Sequence, residues 1–367
     1  MTDTVTSDAL RVKQWDDKAH AEYVRSNRFK RYMKASQNAI IQVKEDLTKK
    51  KGDAITIPLL GALDASSGPN DGKTPLVGNE KALPNDGHSI KVRVVRDATV
   101  VNVEEEQASA IKIRNASKSA LKDLQMRYLR NDIILALGSV NGVGYHDATE
   151  EQRTKWHKNN RDRVLYGAAR SNFVRDDHAA SLANVDATNG KLTHSVVSLA
   201  KRMAQTTQAG NGDGIRPYKH GEDMESFVMF VPSFAFRDLR EDLIKNGYWQ
   251  EARERGKSNP LFSGPTSIEW DGVVVREIPE IEILQGVGGG ETPADVAPCY
   301  LCGSQALAAV WAKRTKTTVR KEDDYEFFYG VGFQELREVS KIQYGQGTEF
   351  ALDWAVLSLF VAGEADQ

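Results

Sequence analysis

No proline occurs between Pro84 and Pro217, and inside that window residues 104–137 read as one continuous helix. Ile113, Ala116, Ala120, Leu124, Tyr128 and Leu135 recur at amphipathic spacing and share a face. Asn115, Lys118, Ser119, Lys122 and Gln125 take the opposite face. Asn131 interrupts the apolar stripe, and Met126 and Leu129 interrupt the polar one. Glu104, Glu105 and Glu106 fall in the first turn, where the helix dipole favours negative charge. Gly138 opens a glycine-rich run to Gly144 that stops the helix. A helix of about 34 residues spans roughly 50 Å. That is long for a globular protein, and the pattern lacks a coiled-coil heptad. Such a strut beside a hairpin suits an architectural role, whereas the ordinary alternative is a long helix in an α/β enzyme.

The segment before the helix supplies the hairpin. Ile55, Ile57 and Leu59 alternate with Thr56, Pro58 and Leu60, an edge-type strand because Pro58 cannot donate to a ladder. Residues 64–89 have loop composition, rich in Gly, Pro, Asn and Asp. Ile90, Val92 and Val94 begin a return strand that Val100, Val101 and Val103 extend. A loop of about 25 residues is uncommon in a compact domain and usually carries function. Upstream, residues 8–33 read as a charged helix with short apolar patches that needs another surface to pack on, and residues 39–43 as a short strand. Residues 1–51 hold twelve Lys/Arg against seven Asp/Glu. Such an arm could face nucleic acid or an acidic partner, or be an ordinary solvated helix face.

Downstream of Gly144 the chain is polar and irregular to about residue 190. Helices are expected over 150–159, 162–169 and 191–205, and the run 208–214 reads as a boundary. The texture then becomes α/β. Strands are expected at 227–231, around Ile268 and Trp270, at 273–275, at 300–301, 327–333 and 339–344, and helices at 236–246 and 304–313. Residues 286–290 (GVGGG) read as a flexible loop, and 350–362 as a final buried strand.

A search for chemistry finds decoys. Residues 68–74 (GPNDGKT) nearly match a phosphate-binding loop, but Ser67 holds the first glycine position and Pro75 stands where the helix should run. A nucleotide-binding enzyme built on Gly68–Thr74 is the alternative function. Cys299 and Cys302 form C-x-x-C without the helix start of a redox site or a second pair for zinc, so buried small side chains are expected. The seven histidines, His146 and His157 among them, show no ligand spacing, no G-x-S-x-G occurs, and Glu322, Asp323 and Asp324 read as a solvated loop. No catalytic, cofactor-binding or metal-binding residue is assigned. Two cysteines make no disulfide framework, the first residues lack a signal-peptide layout, and no stretch reads as a membrane span, so folding in a reducing cytosol is expected. The net charge of -2 offers no global attraction to nucleic acid.

The order of these segments resembles that of tailed-phage major capsid proteins with the Hong Kong 97-type fold, most nearly the podovirus subfamily typified by coliphage N-four. The residues that carry the resemblance are ITIPLLGAL (55–63), LVGNEKAL (76–83), VRVVRDATVV (92–101), FVMFVPSFAFRDLRED (227–242), NPLFSGPTSIEWDGVVVREIP (259–279) and LCGSQALAAVWAK (301–313). Residues 145–214 match no part of that pattern. The resemblance implies an α+β fold with an N-terminal arm (1–51), an extended β-hairpin loop (52–102), a peripheral domain (103–223) with a spine helix (104–137), an axial α/β domain (224–344) and a C-terminal strand (345–367) returning to the peripheral domain. It implies a shell protein rather than an enzyme, without cofactors. Its partners would be itself in hexamers and pentamers, a portal protein, a scaffolding or decoration protein, and packaged double-stranded DNA in non-specific contact, with no membrane. Its place would be the virion, after assembly in the host bacterial cytoplasm. Lys73 and Lys81 lie in the extended loop, but no cross-link is assigned to them.

Overall fold

The computed structural model describes residues 25–45, 52–65, 68–69, 72, 75–109, 112–207, 214–220, 224–249, 267–290, 292–320 and 328–365. In chain order the first elements are β1 (Met33–Lys34), β2 (Ile41–Lys44), β3 (Ala54–Leu60), β4 (Asn85–Lys91) and β5 (Arg93–Asn102). A mainly helical stretch follows: α1 (Val103–Ala108), α2 (Ile113–Gly138), α3 (Glu150–Asn159), β6 (Val164–Tyr166), α4 (His178–Ala183) and α5 (His194–Thr206). Then come β7 (Tyr218–Lys219), β8 (Glu225–Val231), α6 (Ser233–Lys245), β9 (Ser267–Trp270), β10 (Val273–Glu277), β11 (Leu284–Gly288) and β12 (Ala294–Cys302). The chain closes with β13 (Leu307–Val319), β14 (Phe328–Lys341), β15 (Gln343–Tyr344), β16 (Leu352–Asp353) and β17 (Val356–Ala362). None of the described helices is long and apolar enough to cross a membrane.

Two compact units emerge, and α2, β13 and β14 contribute residues to both. The larger unit (28–93, 129–314 and 336–367) is built on a sheet of order β6-β17-β12-β8-β10-β9, with β11 added to β12 and β7 to β8. β8, α6 and β10 form a crossover: β10 lies parallel to β8 with Val273 opposite Phe227. Every residue of β17 is buried, because β6 and β12 flank it and side chains cover both its faces. α5 starts where the Thr193 side chain accepts from the Val196 amide, and it buries Val196, Val197, Ala200 and Met203. The strands on either side of residue 224 share this sheet, since β6 pairs with β17 and β17 with β12.

The smaller unit contains α1, residues 113–128 of α2, β5 from Val94 onward, and residues 315–335. Leu121, Val331 and Phe333 form its buried centre, with Val95, Leu124, Tyr128 and Tyr329 packed around them. Polar groups are satisfied around this cluster. Tyr128 donates to Asp97 (2.8 Å), and Gln125 and Thr315 both donate to Glu335 (3.1 and 2.8 Å). Gly332 lets the strands approach closely: a Cβ there would stand 3.1 Å from both Ala98 Cβ and the Asp97 carbonyl oxygen of β5, tighter than most such contacts.

Several expectations change. The single helix over 104–137 is two. α1 is capped by the Asn102 side chain, which accepts from the Glu105 amide, and it ends at Ser109 in extended conformation. No Pro or Gly marks this break, although an Arg114–Glu106 ion pair clips the two helices together. Leu135, placed on the apolar stripe, is 55% exposed, while Leu121, Ile133, Ala136 and Leu137 are buried. The helix over 304–313 is instead the start of β13. Its Ala- and Leu-rich sequence favours helix locally, but Leu307–Val310 pair in parallel with Ile41–Lys44. Leu307, Ala309 and Trp311 enter the main core, while Ala308 and Val310 enter a second cluster, so the period is two with both faces buried. The helix over 162–169 is instead β6, whose Val164 and Tyr166 face one cluster and Leu165 the other.

The two strands at 327–333 and 339–344 are largely one, β14, continuous through Glu335 and Arg337 because both are buried against polar partners. Residues 286–288, read as loop, belong to β11. The helix over 8–33 lies mostly outside the described residues. From 25 onward it shows only one 3₁₀ turn, Lys30–Tyr32, followed by β1.

Candidate functional site

The hairpin of β3 and β4 is paired from Ala54 opposite Lys91 to Leu60 opposite Asn85, and Gly61 extends it by donating to the Pro84 carbonyl (2.9 Å). Its strand period is two: Ile57, Leu59 and Ile90 point to one face and pack on Ala308, Val310 and Ile342. Residues 85–89, expected in the loop, are strand because their polar side chains find buried partners. The Asp86 carboxylate accepts from the Gly345 amide. His88 is 1% exposed; its Nδ1 accepts from the Gln343 amide (3.4 Å), which leaves Nε2–H to donate to Ser340 Oγ (3.1 Å). Gln346 clasps both backbone groups of Ser89 (2.6 and 3.0 Å). Burial pushes the His88 imidazole down to about 4, so the ring is neutral where it anchors the hairpin.

Past Leu60 this support ends. Leu60, Leu63, Leu76, Val77 and Leu83 are all exposed, Val77 at 86%. The limbs of the loop are tied by Lys81, which donates to the Asp64 carbonyl (2.6 Å). The near-miss phosphate loop lies here. Gly68 and Gly72 have φ of +66° and +75°, and residues 70, 71, 73 and 74, Lys73 included, lie outside the described residues. A phosphate-binding loop must open a helix whose amides cradle the anion. Residues 75–84 contain none, and the next element is β4. The nucleotide-enzyme alternative therefore loses its structural basis.

The other decoys resolve as packing. Cys299 and Cys302 lie three apart on β12, so they point to opposite faces, and burial pushes both thiols up. Glu322, Asp323 and Asp324 lie outside the described residues. Among the described residues no group of three His, Cys, Asp or Glu side chains is placed to hold a metal.

The most enzyme-like cluster is one that the sequence spacing did not reveal. Tyr145 donates to His178 Nε2 (2.8 Å), His178 Nδ1 donates to Tyr166 Oη (2.8 Å), and Tyr166 donates to His157 Nδ1 (2.8 Å). His157 Nε2 ends the series by donating to the Val174 carbonyl (2.7 Å). The direction follows from that end: a carbonyl only accepts, so every proton upstream is assigned. Burial lowers both histidines, His178 to about 3, and raises both tyrosines. Each ring nitrogen already has a partner and the chain of bonds closes on backbone, which makes it a brace for residues 145–178 and not a proton relay to a substrate. Phe173 stacks on His157 at 4.0 Å and Phe360 on Tyr166 at 5.3 Å.

Beside Tyr145 lies a cavity of about 220 Å³ between Leu135, Gly138, Glu280, Leu284 and Tyr300. Gly138 leaves room for Tyr300 at that wall: a Cβ would come 2.8 Å from its Oη, and the ring would have to shift. Arg130 binds Glu280 (3.1 Å) and His146 faces Glu282 (3.4 Å), so both carboxylates at its mouth already have partners within the protein.

Comparison with known proteins follows the shape rather than any of these clusters. A family model described as "Phage capsid protein" matches residues 3–358. The fold is similar to the cyanophage Pam1 capsid asymmetric unit, at 32% identity over 100% of both chains and a TM-score of 0.86. It is similar to the capsid of Ralstonia phage GP4 at 18% identity over 100% of both chains, with a TM-score of 0.76. The head structure of Helicobacter pylori bacteriophage KHP40 matches at 15% identity, covering 97% of this chain and 96% of that one, with a TM-score of 0.65. Among curated protein sequences nothing matches the chain.

Proposed function

The chain belongs to the phage capsid protein family, and from that premise we propose how its parts build a shell. It is a structural protein of the virion with the Hong Kong 97-type fold, a major capsid protein and not an enzyme. The hairpin loop packs on neighbouring copies, whereas the 28–44 part of the arm packs on its own chain through Phe29, Tyr32, Ile40 and Ile41. The observation that carries this reading is the contrast along one hairpin: Ile57 and Leu59 are buried at its base, while Leu76 and Val77 stand exposed beyond it. An apolar tip on a well-anchored base gains by covering a second subunit, and symmetry repeats each such contact through the shell.

In this scheme the arm is 1–51, the loop 52–102, the peripheral domain 103–223, the axial domain 224–344, and residues 345–367 form the returning segment. The subunits group as hexamers and pentamers of an icosahedral shell around double-stranded DNA. A portal protein and a scaffolding or decoration protein complete the particle, and assembly takes place in the host cytoplasm. The finer kinship with coliphage N-four-like podoviruses rests on the sequence blocks quoted above. An identity to that phage's capsid protein above the 32% found for cyanophage Pam1 supports it, and one below 25% removes it.

Negative-stain electron microscopy with light scattering tests the assembly reading. Wild-type protein is expected to form shells, tubes or capsomer rings. Leu76→Asp combined with Val77→Asp is expected to give folded subunits that stay small. Shells of normal size from that variant would overturn the role of the tip.

A further inference from the structure

Phe29 and Tyr32 are fully buried, and both rings meet Phe230 of β8 edge-on at 5.0 and 5.3 Å. This pins the 28–34 stretch to the sheet at a defined place. In the parallel pairing of β8 and β10, Arg276 is the register partner of Phe230, so it stands on the face where these two aromatic rings seat. Arg28 donates to the neighbouring Glu277 carbonyl (2.7 Å). With residues 29 and 32 turned inward, Lys30, Arg31 and Lys34 are exposed. Lys34 reaches Tyr218 Oη (3.2 Å), and Asn38 is bonded to both backbone groups of exposed Lys219. Arg28, Lys30, Arg31, Lys34 and Arg276 thus belong to the 28–34 stretch and the strand face that it covers, where Glu277 meets Arg28. Like charges held together by apolar anchors repel one another, and the concentration stands out in a chain of net charge -2. The Arg276 guanidinium feels it, held below the ordinary arginine range by burial, with Arg28 and Arg31 acting in the same direction.

We propose that this patch, built by the 28–34 stretch on the β8–β10 face, is the surface that grips the phosphate backbone of double-stranded DNA. The inference rests on the shell reading and deepens it, by assigning the DNA contact to one surface of folded chain. Arginine and lysine side chains fixed on an ordered surface contact phosphates without reading bases, so binding is salt-dependent and indifferent to sequence.

The test uses the full chain and a fluorescent 30-base-pair duplex, with anisotropy read across a salt series. Lys30→Glu, Arg31→Glu and Lys34→Glu are combined in one variant, and Lys155→Glu, an exposed lysine on α3, serves as control. The triple variant is expected to lose about tenfold or more in affinity near 0.1 M salt, and its log–log salt slope to flatten by about 3. The control is expected to match wild type, and two duplexes of unrelated sequence to bind alike. Wild-type binding that the triple variant retains, or no wild-type binding at all, overturns the proposal. Displacement by polyglutamate as effective as by duplex overturns it too, in favour of an acidic peptide partner. Electron microscopy of the same samples separates the two readings. Shells from wild type and triple variant with unchanged DNA affinity leave the shell reading standing and remove the patch, whereas a wild type that never assembles counts against the shell reading whatever the anisotropy shows.

Discussion

β17 and the hairpin tip are both rich in Leu and Val, and they meet opposite fates. All seven residues of β17 are buried between β6 and β12, whereas Leu63, Leu76, Val77 and Leu83 stay exposed beyond the last paired residues of the hairpin. Apolar content alone therefore does not tell core from surface in this chain. What separates the two segments is access to partners within one subunit. β17 has a strand on each side and side-chain layers over both faces, while the tip has outrun the cluster of Ala308, Val310 and Ile342 that holds the hairpin's base. Isolated exposed apolar residues are ordinary, and in the proposed shell those of the extended loop are the ones that another chain covers.

The largest way to break this contrast is to attack the core. Phe230→Ala removes a fully buried ring against which Phe29 and Tyr32 both pack, and is expected to destabilise by roughly 3–5 kcal/mol in chemical denaturation. Loss of under 1 kcal/mol would mean that the arm residues do not depend on that seat. The ion pair of Lys341 and Asp353 is next. Both side chains are 1% exposed, 2.8 Å apart, and Trp156 and Gln343 also donate to the carboxylate. Lys341→Met strands a buried carboxylate and is expected to cost about 3–5 kcal/mol, most of it regained when Asp353→Leu is added. A double variant as unstable as the single one would show that the pair contributes more than it costs in desolvation.

Acid sharpens the comparison at the hairpin base. The His88 pKa is about 4 in the folded chain against about 6.5 for a free imidazole, so the unfolded chain binds more protons between those values. The stabilisation is complete above about pH 6.5 and is lost as pH falls through about 4, on the order of 3 kcal/mol in all. His178, lowered to about 3, acts in the same sense over a wider range. The midpoint of thermal unfolding is expected to fall steadily from pH 7 to 4, and less steeply in His88→Gln; parallel curves would assign the acid sensitivity elsewhere. At the small end, Val77→Ser at the tip is expected to move subunit stability by under about 0.5 kcal/mol while weakening assembly. An equal loss in both measurements would mean that the tip packs within its own subunit.

Where local signal and tertiary demand agreed, the sequence was readable. The helix at 150–159 has a complete capping box, Thr149 with Gln152, and its bounds are those expected. β8, with its unbroken apolar run, and the turn at Asp271 and Gly272 between β9 and β10 were equally plain. The hairpin was legible from alternation around Pro58, and the shell function from the order of several blocks rather than any reactive group. Nothing in the spacing of Tyr145, His157, Tyr166 and His178 announced their hydrogen-bonded brace, because its members approach only when β6, α3 and α4 come together. Nor did a string of charges interrupted by Phe29 and Tyr32 reveal a patch shared with Arg276.

By itself, then, the sequence determined the amphipathic helices, the alternating hairpin, the polar loop and the lack of any motif for catalysis, all of which depend on neighbours a few residues apart. Tertiary structure alone decided that Leu307–Val310 would be strand rather than helix, since an Ala-rich run obeys its pairing with β2 once both faces are covered. It decided that Asp86 and His88 would belong to a strand, because Gly345, Ser340 and Gln343 offered them partners. It decided the register of the apolar stripe on α2, where Ile133 and Leu137 turn inward and Leu135 outward. In each case the deciding energy comes from burial and hydrogen bonds between residues far apart in the chain, which outweigh local propensities of a few tenths of a kcal/mol per residue.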